Sequence, residues 1–192
     1  MPLKVTFELS DRDLKYFKKA LAEVKTRAAS VSSDELIALA SDALEDLPTD
    51  APEFVIERTN KLRAMIDMVN DEEWRLQGQD RKRVVRALSY FADPKDLIPD
   101  AIPGIGFLDD AIMIELVVQE LKHELEAYED FCRMRQKKDA ILKSKGSGPT
   151  SRDEWLEARR VQLQDRMRRR RRHRPGRGRS GGSGRKSPIA LW

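Results

Sequence analysis

The chain has 192 residues, enough for one domain with a hydrophobic core plus appendages and too few for a second enzyme-sized domain, since single domains typically run ~100–200 residues. Its formal net charge of +4 conceals a split: from Arg166 onward there are ten Arg, one Lys and no acid, which leaves residues 1–165 at −7. A basic tail on an acidic body points to contact with polyanions or to a tail that folds back on its own body, and the single cysteine, Cys132, excludes an intramolecular disulfide and a thiolate zinc cluster and reads as a small buried hydrophobe.

Lys4, Glu8, Asp11, Arg12 and Asp13 break the first residues, so the apolar run of a secretory signal is absent and a cytoplasmic location is expected. Ser10 with Asp13 resembles a capping box with Asp in the place of Glu. Leu14, Phe17, Leu21, Val24 and Ala28 then recur at helical steps opposite Lys15, Lys18, Lys19 and Glu23. Ser32 and Glu35 open a second helix, with Leu36, Leu39, Ala43 and Leu47 predicted inward and Pro48 as the stop. Pro52 suits a first helical turn, and Val55, Leu62, Met65, Ile66 and Val69 form the third stripe.

Asn70 and Asp71 mark a break, Trp74 and Leu76 read as anchors, and Gly78 precedes a fourth stripe of Val84, Val85, Leu88 and Phe91. A long fifth helix is predicted from Asp109 to about Leu142, with Ile114, Val118, Leu121, Leu125, Tyr128 and Cys132 inward. Residues 97 to 121 are the most apolar stretch, but Asp100, Asp109, Asp110, Glu115 and Glu120 interrupt it. A spanning helix needs ~20 mainly apolar residues, so no transmembrane segment is expected.

The expected fold is therefore all-α: a compact bundle of about five helices within a domain at 1–145, then a Gly/Ser/Pro linker at 146–150. A charged helix follows at 151–172, offering only Trp155, Leu156, Val161, Leu163 and Met167 as apolar surface, so it must dock, pair or stay marginal. Residues 173–192 are Arg, Gly, Ser and Pro-rich, a composition that cannot bury enough apolar area to offset ordering entropy, and are expected to be disordered.

Residues 90 to 110 read YFADPKDLIPDAIPGIGFLDD. Asp93 is a favoured N-cap, Pro94 a favoured first residue, and Asp96 falls beside the positive helix end. Pro99 and Pro103 push the residues before them toward extended backbone, while Gly104 and Gly106 admit conformations that other residues avoid. The segment reads as a rigid elbow whose Leu97, Ile98, Ile102, Ile105, Phe107 and Leu108 plug into the core, with Asp109 or Asp110 capping the next helix. Five aspartates with only Lys95 among them need compensation. They serve either as caps paired with Arg81, Arg83 or Arg86, the ordinary use of Asp, or as oxygen ligands for a divalent cation such as Mg²⁺ or Ca²⁺.

This segment closely resembles the central motif of the YkvA-like family of small, mainly bacterial helical proteins. Asp93, Pro94, Asp96, Leu97, Ile98, Pro99, Asp100, Ile102, Pro103, Gly106, Leu108, Asp109 and Asp110 match its pattern, within a region at about 78–125. The resemblance implies a helical fold and a motif but no reaction. Some members resemble membrane-associated proteins.

No Gly-rich phosphate loop, nucleophile elbow or His-x-x-x-His pair is present, and neither His123 nor His173 has a partner visible in the sequence. No catalytic residue and no cofactor beyond that divalent cation is assigned. The favoured reading is a non-enzymatic interaction or adaptor module. Its helical body would bind a protein partner, and its tail, through Arg166, Arg168, Arg169, Arg170, Arg171, Arg172, Arg174, Arg177 and Arg179, would attach to nucleic acid or an anionic membrane surface, placing it at a membrane periphery or nucleoid. The competing readings are a metal-dependent enzyme built on Asp93, Asp96, Asp100, Asp109 and Asp110, and a peripheral membrane-associated protein.

Overall fold

The computed structural model describes residues 8–45, 53–92, 108–145 and 150–173, over which the chain is all-α. Helix α1 (Asp11–Arg27) opens on a complete capping box. The Ser10 hydroxyl accepts the Asp13 N–H at 3.3 Å, and the Asp13 carboxylate accepts the Ser10 N–H at 2.9 Å. Asp is therefore long enough to close the box in place of Glu. A 3-10 turn at Ala28–Ser30 leads to α2 (Ser33–Glu45), whose Glu35 N–H donates to the Ser32 hydroxyl at 3.2 Å.

The buried seam of α2 is Leu36, Ile37, Ala40 and Leu44. Of the expected stripe only Leu36 lies in it; Leu39 is 41% exposed, Ala43 is exposed, and Leu47 lies outside the described residues. Apolar residues occupy several faces of α2, so its own pattern does not select one; contact with α3 (Glu53–Asn70) and α4 (Gly78–Leu88) does. Helix α3 buries Leu62, Met65, Ile66, Met68 and Val69.

Between α3 and α4 the chain makes a tight turn that carries the largest core side chain. The Asp71 carboxylate accepts the N–H groups of Glu73 and Trp74, each at 2.9 Å, and Arg75 adopts a left-handed φ of 49°. Trp74 is thereby driven into the core, fully buried, with the rings of Phe131 and Tyr128 at 5.1 and 5.8 Å. Gly78 starts α4 at φ +60°, a conformation that costs an L-residue about 1–2 kcal/mol.

The predicted long fifth helix is two helices, α5 (Leu108–Glu120) and α6 (Lys122–Lys145), with a bend at Leu121. The Leu121 N–H still reaches the Val117 carbonyl and the Leu125 N–H the Leu121 carbonyl, both at 2.9 Å, so the ladder bends rather than stops. Its cause is a side chain entering the ladder: Arg83 Nη2 donates to the Glu120 carbonyl at 3.0 Å. Helix α5 is buried on most sides, through Ala111, Ile112, Met113, Ile114, Leu116 and Val117, and touches α1, α3 and α6. The apolar character of this stretch is that of a central core helix. Among the described residues no helix is long and apolar enough to cross a membrane.

Helix α7 (Thr150–Arg172) packs against α6. Leu156, Leu163 and Met167, spaced by seven and four, are buried against the core, whereas Val161 stays 53% exposed.

Candidate functional site

Three groups of side chains fix α7 to the body. At its start, Arg152 donates to both oxygens of Asp139, at 2.6 and 3.2 Å, and to Glu73 at 2.6 Å, while Arg135 of α6 reaches Asp71 and Glu73 at 2.8 and 2.9 Å. The Arg152 hydrogen bond holds the Glu73 carboxyl below the usual carboxylate range. Burial works against ionisation of Asp71, but the Trp74 N–H and Arg135 outweigh it. In the middle, Gln164 donates to the Trp74 carbonyl at 2.8 Å and Arg160 to the Glu73 carbonyl at 3.3 Å, so α7 is hydrogen-bonded to the backbone of the tight turn.

The third group is the arginine run. Arg166 pairs with Asp130, and Arg170 with Glu126 at 3.1 Å. Arg168 Nε and Arg171 Nη1 each approach Asp80 at 2.8 Å, one on each carboxylate oxygen, and Arg171 Nη1 also meets Glu124 at 2.9 Å. The side chains of Asp80 and Glu124 are 6% and 1% exposed. Burial disfavours the Asp80 carboxylate, yet the two guanidinium groups hold its pKa below the ordinary value. Repulsion along the run is offset by body acids, which lets the helix continue to Arg172. Arg169 has only a 3.9 Å contact with Asp165, and Arg172 makes no ion pair among the described residues.

Beside this latch lies a cavity of about 410 Å³ where α1, α4, the end of α5 and α7 meet. Gln79, Lys82, Arg83 and Arg86 come from one face of α4, at helical spacing; Lys25, Glu120 and Arg171 complete the wall. Glu120 is paired with Lys25 at 2.8 Å and lies 4.0 Å from Arg83, whose Nε is 3.1 Å from Glu124. Lys82 and Arg86 are exposed and make no ion pair among the described residues.

Of the motif residues, Asp93, Pro94, Asp96, Pro99, Asp100, Pro103 and Gly106 lie outside the described residues, as do Arg174, Arg177 and Arg179 of the tail. Asp109 and Asp110 open α5, Asp109 almost fully buried and Asp110 half-buried. Among the described residues no three His, Cys, Asp or Glu side chains converge as a metal set. Of the arginines expected to offset the motif aspartates, Arg81 pairs with Asp34 at 3.2 Å and Arg83 turns to Glu120 and Glu124. Sequence reasoning missed the acceptors Asp80, Glu124, Glu126 and Asp130; the signal for them was the acidic body facing an acid-free tail. The basic face of α4 was legible in the 79/82/83/86 spacing.

Residues 82–116 match the family described as protein of unknown function (DUF1232). The chain is also similar to the uncharacterized membrane protein YkvA of Bacillus subtilis (strain 168), with 35% identity over 71 residues, which is 37% of this chain and 67% of that protein. No solved structure matches the chain.

Proposed function

Because the chain belongs to the YkvA-like (DUF1232) family, whose activity is undefined, its function is argued from its own geometry, and we propose that it is a non-enzymatic interaction module attached peripherally to an anionic membrane surface by its C-terminal arginines. The observation that carries this reading is the division of labour within the arginine run. Arg166, Arg168, Arg170 and Arg171 are spent on body acids, which fixes α7 in place. Arg169, with only a long contact to Asp165, and Arg172 take no body acid among the described residues, and in this reading they act on an outside partner together with the further cations of the sequence, Arg174, Arg177, Arg179, Arg185 and Lys186. The body thus carries its basic extension from a fixed point.

An anionic bilayer is preferred to nucleic acid because the Bacillus relative is called a membrane protein, while no helix described here spans a membrane. Each Lys or Arg near such a surface contributes about 1 kcal/mol, falling off within a Debye length. The described carboxylates Asp71, Glu73, Asp80 and Asp139 support a non-enzymatic reading, each being engaged in holding helices together.

Vesicle co-sedimentation tests this with phosphatidylglycerol mixed into phosphatidylcholine, comparing the full chain with one ending at His173. Binding of the full chain should exceed that of the shortened one at least tenfold and fall steeply as salt rises. Equal partitioning of the two chains would overturn the proposal. So would tighter binding to unrelated RNA or DNA oligomers than to the vesicles, which would make nucleic acid the partner.

A further inference from the structure

The cavity beside the latch is independent of the tail, and its chemistry is specific. Five cationic side chains, Lys25, Lys82, Arg83, Arg86 and Arg171, face it against the single carboxylate of Glu120. Folding neutralises some of these: Lys25 by Glu120, Arg83 by Glu124, and Arg171 by Asp80 and Glu124. Among the described residues the remainder is uncompensated. Lys82 and Arg86 sit four residues apart on α4, a spacing at which like charges repel, and neither has an ion-pair partner among the described residues. Two of the paired arginines also keep donors in reserve: Arg171 makes its ion pairs through Nη1 alone, and Arg83 makes its own through Nε and Nη2.

We propose that this cleft is a binding site for a phosphoryl-bearing anion, held by Lys82 and Arg86 with Arg83, Arg171 and the Gln79 amide around it. Three features fit a phosphoryl-bearing anion, and the charge count among them favours it over a simple carboxylate. A volume of about 410 Å³ lies within the ~300–1,000 Å³ of small-molecule sites and exceeds what a monovalent ion needs. The two positive charges left without an acid among the described residues, Lys82 and Arg86, match a dianion. Planar guanidinium groups arriving from α4 and α7 present forked donors suited to phosphate oxygens. The site is assembled only when α7 is seated, because Arg171 reaches the cleft from that helix's last turn. The source of the phosphoryl group is either a free phosphorylated solute or a lipid headgroup.

The experiment uses the full chain as wild type and, besides a charge-conserving swap, in two neutralised forms: Lys82→Ala with Arg86→Ala, and Lys15→Ala with Lys18→Ala. The last removes the same charge from the exposed face of α1. Inorganic pyrophosphate is titrated calorimetrically at low ionic strength, and vesicles containing phosphatidic acid are titrated by co-sedimentation. The cleft pair of substitutions should weaken binding at least tenfold while the α1 pair changes it less than twofold, with melting temperatures unchanged in both. Loss confined to pyrophosphate identifies a soluble ligand and loss confined to vesicles a lipid headgroup; either supports the site. A swap of Lys82→Arg with Arg86→Lys should retain most of the affinity. Equal loss in both double variants, or none in the cleft pair, would overturn the proposal and leave the tail reading untouched.

Discussion

Replacing Asp80 by Asn should loosen α7 selectively. Asp80 is buried at the first turn of α4, and its two oxygens take Arg168 and Arg171 at 2.8 Å each. Hydrogen bonds to charged partners contribute ~1.5–3 kcal/mol apiece, which sets a ceiling of about 3–6 kcal/mol. Two facts lower it. The Arg168 and Arg171 side chains are 41% and 29% exposed, so water takes over part of their solvation, and Arg171 keeps Glu124. Loss of a carboxylate at a helix N-terminus adds a further ~0.3–1 kcal/mol. The net expectation is about 2–3 kcal/mol, or about 4–12 °C in melting temperature for a chain of this size. Denaturant unfolding measures the global loss. Limited trypsin digestion measures the local one, since cleavage within Arg166–Arg172 should accelerate before the rest of the chain is cut. A stability change below ~0.5 kcal/mol with an unaltered digestion pattern would refute the latch.

Acid should act on the same network. The pKa values of Asp71, Glu73, Asp80 and Asp139 are all lowered in the fold, so their stabilisation is present above the unfolded value near ~4 and is lost as pH falls through the lower folded values; thermal melts between about pH 5 and pH 2 should show this, more shallowly for Asp80→Asn. Trp74→Ala should cost about 3–5 kcal/mol by urea unfolding, because it empties a fully buried site between Tyr128 and Phe131. Gly78→Ala meets open space and should cost only its backbone strain, about 1–2 kcal/mol in the same assay. Burial pushes the Cys132 thiol up, so its alkylation by iodoacetamide at pH 8 should be slower than that of a free cysteine peptide.

The helical class was legible because most stripes were unambiguous: Leu21 and Val24 in α1, the 62/65/66/69 set in α3, and Val84, Val85 and Leu88 in α4 are buried as their spacing implies. Where apolar residues covered more than one face, as in α2, periodicity could not choose, and tertiary packing did. The bend at Leu121 was illegible for a different reason: its cause, Arg83, is 38 positions away in the chain, and no local propensity encodes it. The arginine run was visible as charge, and the body's acidity raised the fold-back alternative, but which acids would receive it depended on how α4, α6 and α7 come together. The motif aspartates from Asp93 to Asp100 lie outside the described residues.

The placement of the tryptophans has an optical consequence. Trp74 is sealed in the core, whereas Trp155 sits half-buried on α7 with Lys138 and Arg159 over its ring, each at 5.6 Å. Trp192 lies outside the described residues and can be replaced by Phe. The emission of the remaining two indoles would then resolve separate events. A red shift from Trp155 alone would mark departure of α7 from the body, and the Trp74 signal would follow only when the core itself opens.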